Sequence, residues 1–525
     1  MFPRGQWIRR HQNNNSFPMR IFSGLRVILF GVLCAAATLV ARAGETVYHS
    51  DVVVLGSGAA GLSAAVAAAE TGAKVMVLEK MPVVGGSSVF AADYVTAIGK
   101  RAEAVAGKEL SVESLYKEIV RSGGGRNDPE LIEKLLLMTD DAYEWLTSMG
   151  ASLARPVPVR EGGEWAGFRT DTKGTTVGVE VVKALLRSAE DRRIPIETLA
   201  PASEILMEKG AVAGVRVTDM RGGTFVIRSP AVVIATGSYA ANPDMVRMHA
   251  GKESRQYTAL NFTTNAPGCT GDGLILGHMA GAAVRDLELL EFHPTTIATT
   301  GDIIPSSVRS RGAILVNQQG KRFVNELDKR RAVVAETEKQ PGHVAWLIAD
   351  EKIVEQESLL QESSYQLAAV TGATEEELAR RMRVDPETFK ETLLTYREGL
   401  LKGKDAFGRR TMESDLSAVP LYAFPVRSAV HGTSGGLVAD EHAHVQNEEG
   451  KPIPGLYAAG DVMSGLNGLE RVSGMGIAAA VVFGREAGYC ASRFARPDLP
   501  VPESRRMIPS GYTLRLDPRC RPDEP

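Results

Sequence analysis

The chain has 525 residues, with 60 basic and 63 acidic side chains and a formal net charge of −3. This length is sufficient for two or more domains, and the slightly acidic balance does not favour nucleic acid as a partner. The four cysteines form no C-x-x-C pair, which excludes a haem-attachment motif, an iron–sulfur ligand spacing and a disulfide framework.

The N-terminal segment differs in character from the rest of the chain. Residues 1–43 contain six arginines and no acidic side chain, and without them the net charge is −9. An apolar run between Arg26 and Arg42, followed by a small-x-small sequence ending at Ala43, predicts a signal peptide over residues 1–43. The run is short for a bilayer crossing. An uncleaved membrane anchor is the alternative, and Met19 is an alternative start.

A nucleotide-binding pattern follows the leader. The apolar run from Asp51 to Leu55 predicts a strand, and three glycines then complete the pattern G-x-G-x-x-G: Gly56, Gly58 and Gly61. An Ala-rich helix and a second strand come next, and Glu79 ends that strand about twenty residues after the glycines. Free N–H groups at the helix start suit a pyrophosphate, and a carboxylate at the second strand suits ribose hydroxyls.

Four later segments repeat the theme of a glycine turn or an acid beside a strand. They read MPVVGGSS from Met81 to Ser88, AVVIATG from Ala231 to Gly237, TGDG from Thr270 to Gly273 and GLYAAGD from Gly455 to Asp461. Separated segments that serve one cofactor predict a nucleotide domain that is interrupted by an insertion.

These motifs, in this order and spacing, resemble those of the FAD-dependent fumarate reductase flavoproteins, a family related to the ketosteroid dehydrogenases. The resemblance implies an α/β fold with a split Rossmann-like FAD-binding domain, residues 47–288 and 432–495, and an inserted α+β capping domain, residues 289–431. Residues 496–525 are expected to form a loose tail. The GGSS loop carries no histidine where covalently flavinylated members of the family have one, so the resemblance implies non-covalent FAD. We expect no metal.

The cofactor-binding residues that we expect from the motifs are Gly56, Gly58, Ala60, Gly61, Glu79, Lys80, Gly86, Ser87, Ser88, Gly237, Asp272, Asp461, Gly474 and Ile477.

The resemblance also assigns catalytic positions. FHPT contains His293, the segment VNELDKR ends at Arg330, HGTSGG begins with His431, and LERVSG contains Arg471. These four match the substrate-facing residues of the reductases, and Arg309 matches a proton-relay arginine. Glu326 and Asp328 are possible assistants.

The chemistry can be stated from the residue types. Reduction of a C=C bond beside a carboxylate needs a hydride at the β-carbon, stabilisation of the developing enolate and a proton at the α-carbon. Reduced flavin gives the hydride from N5, while Arg471 and His431 can clamp and polarise the carboxylate. Arginine is normally a poor proton donor, but the resemblance implies that Arg330 is the acid.

Three departures from the family pattern concern the substrate. Pro305-Ser306 stands where the fumarate enzymes have Thr-Glu, so the second carboxylate site keeps His293 without its partner. Asp93-Tyr94 replaces Gly-Gly, and Ser473-Gly474-Met475 replaces Gly-Gly-Asn. The sequence therefore predicts a periplasmic reductase of an α,β-unsaturated carboxylate, either fumarate-like or a monocarboxylic enoate.

Two alternatives remain. A dehydrogenase of the same family would run in reverse and need a base, for which Tyr94 and Tyr422 are candidates by residue type. A non-enzymatic electron-transfer flavoprotein would need no substrate cations. In each case the absence of a haem motif predicts an external electron partner, such as a cytochrome c or a quinol-linked membrane protein.

Overall fold

The computed structural model describes residues 45–158, 165–172, 174–219, 222–252, 254, 262–410 and 413–500. The predicted signal peptide and most of the predicted tail lie outside the described residues. None of the helices in these ranges has both the length and the apolar character that a bilayer crossing requires.

The described strands have between two and thirteen residues, and the longest of them runs from Leu421 to Thr433. They are β1 (Thr46–His49), β2 (Val52–Leu55), β3 (Val75–Leu78), β4 (Val95–Ala97), β5 (Arg155–Pro158), β6 (Ala166–Arg169), β7 (Ile196–Glu197), β8 (Ala202–Glu208), β9 (Ala211–Thr218), β10 (Thr224–Arg228), β11 (Ala231–Ile234), β12 (Val284–Arg285), β13 (Leu290–Ile297), β14 (Ile314–Val316), β15 (Ala345–Asp350), β16 (Val370–Gly372), β17 (Leu421–Thr433), β18 (Gly436–Leu437), β19 (His444–Gln446) and β20 (Pro452–Ala458).

The described helices are α1 (Ala59–Glu70), α2 (Lys100–Ala106), α3 (Val112–Gly123), α4 (Pro129–Ser148), α5 (Val177–Asp191), α6 (Pro243–His249), α7 (Asp272–Met279), α8 (Ser306–Ser310), α9 (Arg330–Glu338), α10 (Glu351–Gln356), α11 (Ser363–Ala368), α12 (Glu375–Met382), α13 (Pro386–Leu401) and α14 (Met475–Ala495).

The central sheet joins the two ends of the described chain. Its strand order is β19-β20-β11-β2-β3-β7, and β20, β11, β2 and β3 run parallel to one another. All four residues of β2 are buried, as expected for a parallel strand that is covered on both faces. Because β20 lies some 400 residues after β2 in sequence but two strands away in the sheet, the fold is split by the intervening chain.

Close packing of two helices brings the C-terminal segment onto the first nucleotide motif. Helix α14 packs against α1. A Cβ at Gly484 or Gly488 would collide with the backbone carbonyl of Ala60 or Ala64, respectively. These small residues allow the two backbones to approach, so α14 starts beside the glycine turn.

A second sheet with its own apolar core belongs to the inserted segment. It has the order β13-β17-β15-β14, with β16 paired to β17, and all its pairs are antiparallel. A separate buried cluster runs from Ile297 to Val426. Its polar centre is Glu326, which accepts hydrogen bonds from Arg322 Nη2 at 2.8 Å and Arg409 Nη1 at 2.9 Å. Glu326 is therefore paired with these two arginines in the interior of the inserted segment.

Candidate active site

The glycine motif forms a tight turn between β2 and α1. Gly56 has φ +103°, and a Cβ there would collide with the carbonyl oxygen of Ala235 on the neighbouring strand. A Cβ at Gly61 would collide with the carbonyl oxygen of Gly56. The first glycine is needed for a left-handed backbone and the third for the contact of helix and strand.

Glu79 faces the same turn. Its side chain accepts hydrogen bonds from Ser57 N at 3.0 Å, Ser57 Oγ at 2.6 Å and Met81 N at 2.8 Å. A carboxylate has about four acceptor positions, so one is left for a ligand hydroxyl. The carboxylate of Glu79 is therefore held by donors from the glycine turn and from the loop after β3.

The Gly-Ser loop packs over the start of α1. Ser88 Oγ accepts a hydrogen bond from Ala59 N at 2.9 Å, and Ser87 Oγ accepts one from Ala266 N at 2.9 Å. Further along the same wall, Lys80 Nζ lies 2.6 Å from Asp272 Oδ2, so the second strand and the TGDG turn are joined by an ion pair.

A cavity of about 1700 Å³ of empty space, part of it open to solvent, connects these motifs. All the predicted cofactor residues line it except Gly61, which lies behind the turn. The same cavity reaches from the nucleotide motifs to residues of the inserted segment, so a cofactor and a second molecule could meet in it. The glycine cradle, the acceptor of Glu79 and the helix start therefore fit FAD.

Four of the five predicted catalytic residues line the same cavity: His293, Arg330, His431 and Arg471. They come from four places in the chain, namely β13, the start of α9, β17 and the loop before α14. The pairing of β13 with β17 brings the two histidine strands together, and the ring centroids of His293 and His431 are 5.2 Å apart.

A buried carboxylate that the sequence did not single out joins the two arginines. Glu291 Oε1 lies 2.5 Å from Arg330 Nη1, and Glu291 Oε2 lies 3.4 Å from Arg471 Nε. Arg330 also donates from Nη2 to Ser473 Oγ at 3.0 Å and from its backbone N to Glu470 Oε1 at 2.9 Å. The guanidinium of Arg330 is therefore held at a fixed orientation.

His431 is held between two partners. Its Nε2 lies 3.3 Å from Arg471 Nη2, and its Nδ1 lies 2.7 Å from Thr264 Oγ1. Because an arginine can only donate, Nε2 must be the acceptor and Nδ1 carries the proton in this state. A Cβ at Gly476 would collide with Arg471 Nη1, so a glycine is required for the arginine to lie there.

The charges in the cluster are distinctly perturbed. Burial disfavours ionisation of Glu291, but Arg471 and Arg330 outweigh it and hold the pKa of Glu291 at about 2. Burial and the two nearby arginines lower the pKa of His431 to about 3. Burial also lowers the pKa of His293 well below its ordinary value. Both histidines are neutral at neutral pH, beside two cations and one anion.

Arg309 lies on α8, is 4 % exposed and does not line the cavity. Its charge nevertheless reaches His293, where it contributes to the lowered pKa. Tyr94 lines the cavity, whereas Tyr422 does not. The Tyr422 hydroxyl donates to Glu351 Oε2 at 2.6 Å, and burial with this acid raises its pKa to about 12.

Two of the departures from the family pattern contact each other. Ser306 Oγ donates to Asp93 Oδ2 at 2.8 Å, across 213 positions of sequence. Asp93 and Pro305 both line the cavity. The sequence identified each departure separately, but only the fold shows that they form one unit.

Glu291, Ser473, Glu470 and Thr264 were missed as contact residues of the catalytic side chains. Only Glu291 had a sequence signal. It is the lone acid of the strand LEFHPTTI and stands two positions before His293, in a strand where a charge is costly unless it is paired.

The chain is similar to a known family and to several of its members. The family model described as an FAD binding domain matches residues 51–477. A fumarate reductase (cytochrome) of Shewanella frigidimarina is 35% identical over 448 residues, which cover 85% of this chain and 77% of that protein. An NADH:acrylate oxidoreductase of Vibrio harveyi is 27% identical over 525 residues, covering 87% of this chain and 52% of that protein.

Among solved structures, the open conformation of a flavocytochrome c3 fumarate reductase matches with a TM-score of 0.75 and 30% identity, over 89% of this chain and 81% of that chain. The predicted fold class and the FAD cofactor are thereby confirmed. The chain belongs to the family of FAD-binding oxidoreductases that includes the fumarate reductase flavoproteins.

Proposed function

We propose that this enzyme is an FAD-dependent reductase that adds hydrogen across the C=C bond of an α,β-unsaturated carboxylate. The observation that carries the proposal is the pair of guanidiniums, Arg330 and Arg471, which share Glu291 at the wall of the cofactor cavity. Relatives named for fumarate and for acrylate reduction support it.

Electrostatics of the cluster favour a carboxylate. Arg330, Arg471 and Glu291 together carry a net charge of +1, and the two histidines beside them are neutral. A substrate carboxylate would balance this charge, and the donors are positioned before it arrives. As charge moves onto the carboxylate in the enolate-like transition state, the interaction with Arg471 becomes stronger, and this is what lowers the barrier.

The hydrogen atoms have separate sources. Bound FAD, once reduced, supplies a hydride for the β-carbon. Arg330 supplies the proton to the α-carbon, and Glu291, Ser473 and Glu470 hold it for this transfer. We propose that Arg309 returns a proton to Arg330 after turnover.

His431 adapts to the bound acid through Thr264. A hydroxyl can donate or accept, so Thr264 can serve either tautomer of His431. When the substrate carboxylate takes the hydrogen bond of Arg471, a shift of the proton to Nε2 lets His431 donate to the substrate. This role requires a neutral ring, in line with the lowered pKa.

The cellular setting is also proposed. The leader over residues 1–43 exports the protein to the periplasm, the FAD is non-covalent, and electrons come from an external donor such as a cytochrome c or a quinol-linked membrane protein. The cap spans residues 289–431 between flavin segments 47–288 and 432–495. N-terminal sequencing of the exported protein should begin at Gly44, and an uncleaved leader would favour the membrane-anchor alternative.

The activity is tested with reduced methyl viologen under anaerobic conditions, against fumarate, acrylate, methacrylate, urocanate and cinnamate. We expect at least one acid to oxidise the dye in stoichiometric amount. Oxidation by none of them would contradict the proposal.

The reverse reaction is the second candidate, since Tyr94 lines the cavity and has the residue type of a base. An artificial acceptor that is reduced by saturated acids or ketosteroids faster than the unsaturated acids are reduced would favour it.

A further inference from the structure

We propose that the substrate of this enzyme carries a single carboxylate, and that Asp93 determines this specificity by opposing a second carboxylate at the wall of the cavity formed with Pro305. The inference rests on the proposed function and narrows its substrate class. It depends on where the cavity has cations and where it has none.

Two of the three cationic side chains that line the cavity lie together. Of the residues that line it in the described part of the chain, only Lys80, Arg330 and Arg471 have lysine or arginine side chains. Lys80 is paired with Asp272 beside the nucleotide motifs. The other two share Glu291. A second substrate carboxylate would therefore have to find its partner elsewhere.

The contacts lead from the two arginines to an uncharged wall. Arg471 contacts His431, and the tilted rings of His431 and His293, both neutral, have centroids 5.2 Å apart. The strand of His293 continues to Thr295, whose carbonyl accepts from Ile304 N at 2.9 Å and whose hydroxyl donates to Ile304 O at 3.1 Å. The residues on either side of Ile304, namely Ile303 and Pro305, line the cavity and offer no cation.

The carboxylate of Asp93 adjoins this wall. Ser306, the residue after Pro305, donates to Asp93 Oδ2 at 2.8 Å and fixes its orientation. Asp93 lines the cavity and its side chain is 18 % exposed. A second substrate carboxylate at this wall would meet an anion, in a site where charges are screened less than in water.

The cations near this anion lie outside the cavity. Arg169 Nη2 lies 3.5 Å from Asp93 Oδ1, and Arg169 Nη1 lies 3.4 Å from Glu357 Oε2. Asp93 and Glu357 thus share one guanidinium, which does not line the cavity. Arg309, on the same helix as Ser306, does not line it either.

The sharpest probe is a pair of substrates of nearly the same shape, of which one lacks the second negative charge. Fumarate and its monoamide, fumaramate, form such a pair, because the second carboxylate of fumarate is a neutral amide in fumaramate. We expect the wild-type holoenzyme to reduce fumaramate with a kcat/KM about tenfold or more above that for fumarate. A wild-type enzyme that prefers fumarate would overturn the inference, whatever the variants do.

The variant Asp93→Asn tests whether the charge of Asp93 causes this substrate preference. It keeps the shape and the hydrogen bond from Ser306 but removes the charge, so the fumaramate-to-fumarate ratio should fall by about tenfold. Because the same ratio is compared between wild type and variant, any difference in intrinsic reactivity between the two acids cancels. Asp93→Ser is the second uncharged variant, and Asp244→Asn, whose carboxylate is 84 % exposed, is the matched control that should leave the ratio unchanged.

The outcomes separate the two proposals. If neither acid, nor acrylate or crotonate, oxidises the dye, the proposed function fails. If the acids are reduced but the ratio is the same in wild type and in Asp93→Asn, the function stands and the role of Asp93 is wrong. FAD absorbance and the melting temperature of each variant verify that the holoenzyme is intact.

Discussion

Glu291 accepts a hydrogen bond from Arg330 at 2.5 Å inside the protein, so the proposed proton donor is one half of a buried ion pair. The other oxygen of the same carboxylate faces Arg471. Removing one partner from such a cluster leaves an uncompensated buried charge, which is costly. Glu291 thus sets the charge balance on which both binding and proton transfer depend.

The first prediction concerns acid stability through Glu291. Its pKa falls from an ordinary 4.5 to about 2 in the folded protein, so the unfolded state takes up a proton first as the pH falls. The stabilising effect is complete above pH 4.5 and is lost towards pH 2, and amounts to about 3 kcal/mol. Denaturant unfolding of wild type and Glu291→Gln between pH 5 and 3 should show the wild-type advantage shrinking.

A difference between these two proteins that stays constant over this range would contradict the ion-pair assignment. Asp244→Asn, which removes an exposed acid, is the control and should show no such trend.

The second prediction separates proton transfer from binding at Arg330. Arg330→Gln should lower kcat by about 10²–10⁴-fold, the usual contribution of a general acid. Reduction of the bound FAD by viologen, which needs no substrate proton, should keep its wild-type rate. Stopped-flow measurement of the two half-reactions checks this, and a variant with wild-type turnover would show that another group gives the proton.

The sequence was sufficient to predict which segments line the cavity beside the glycine turn, because each motif meets a local requirement. Gly56 must have a positive φ and Gly61 must touch the preceding turn, and both demands can be read within a few residues. The family resemblance then ordered the separated segments correctly. The strands β2, β11 and β20 lie side by side in the parallel sheet that this order required.

The contacts of the catalytic side chains could not be predicted in the same way. Glu291 meets Arg330 across 39 positions, and Asp93 meets Ser306 across 213. Neither sequence separation matches a helix or strand period. The first contact depends on how α9 packs against β13 within the inserted segment, and the second on how that segment packs against the flavin segment. The sequence therefore suggested that the second carboxylate site was incomplete, but not that an anion adjoins it.

The third prediction tests the hydroxyl behind His431. Thr264→Val removes the hydrogen-bond partner of His431 Nδ1 in a buried site. An unsatisfied buried donor of this kind costs about 1–3 kcal/mol. We expect kcat/KM for the unsaturated acid to fall about tenfold, mainly through KM, because the histidine can no longer change tautomer freely. Thr264→Ser keeps the hydroxyl and should restore most of the loss. An equal loss in both variants would indicate a packing role.

The fourth prediction follows from the neutral state of His431. Its pKa falls from 6.5 to about 3 because it is buried beside two arginines, although Glu291 partly offsets them. The unfolded chain therefore binds a proton at this residue near pH 6.5 while the folded protein does not, so stability must fall as the pH falls below 6.5. Between pH 6.5 and 5 the wild-type protein should lose about 2 kcal/mol more than His431→Gln, which has no such group. Denaturant unfolding at fixed FAD concentration measures this difference. If the wild-type protein instead gains stability relative to His431→Gln over this range, the histidine is protonated in the folded protein. The proposed tautomer shift through Thr264 would then be wrong.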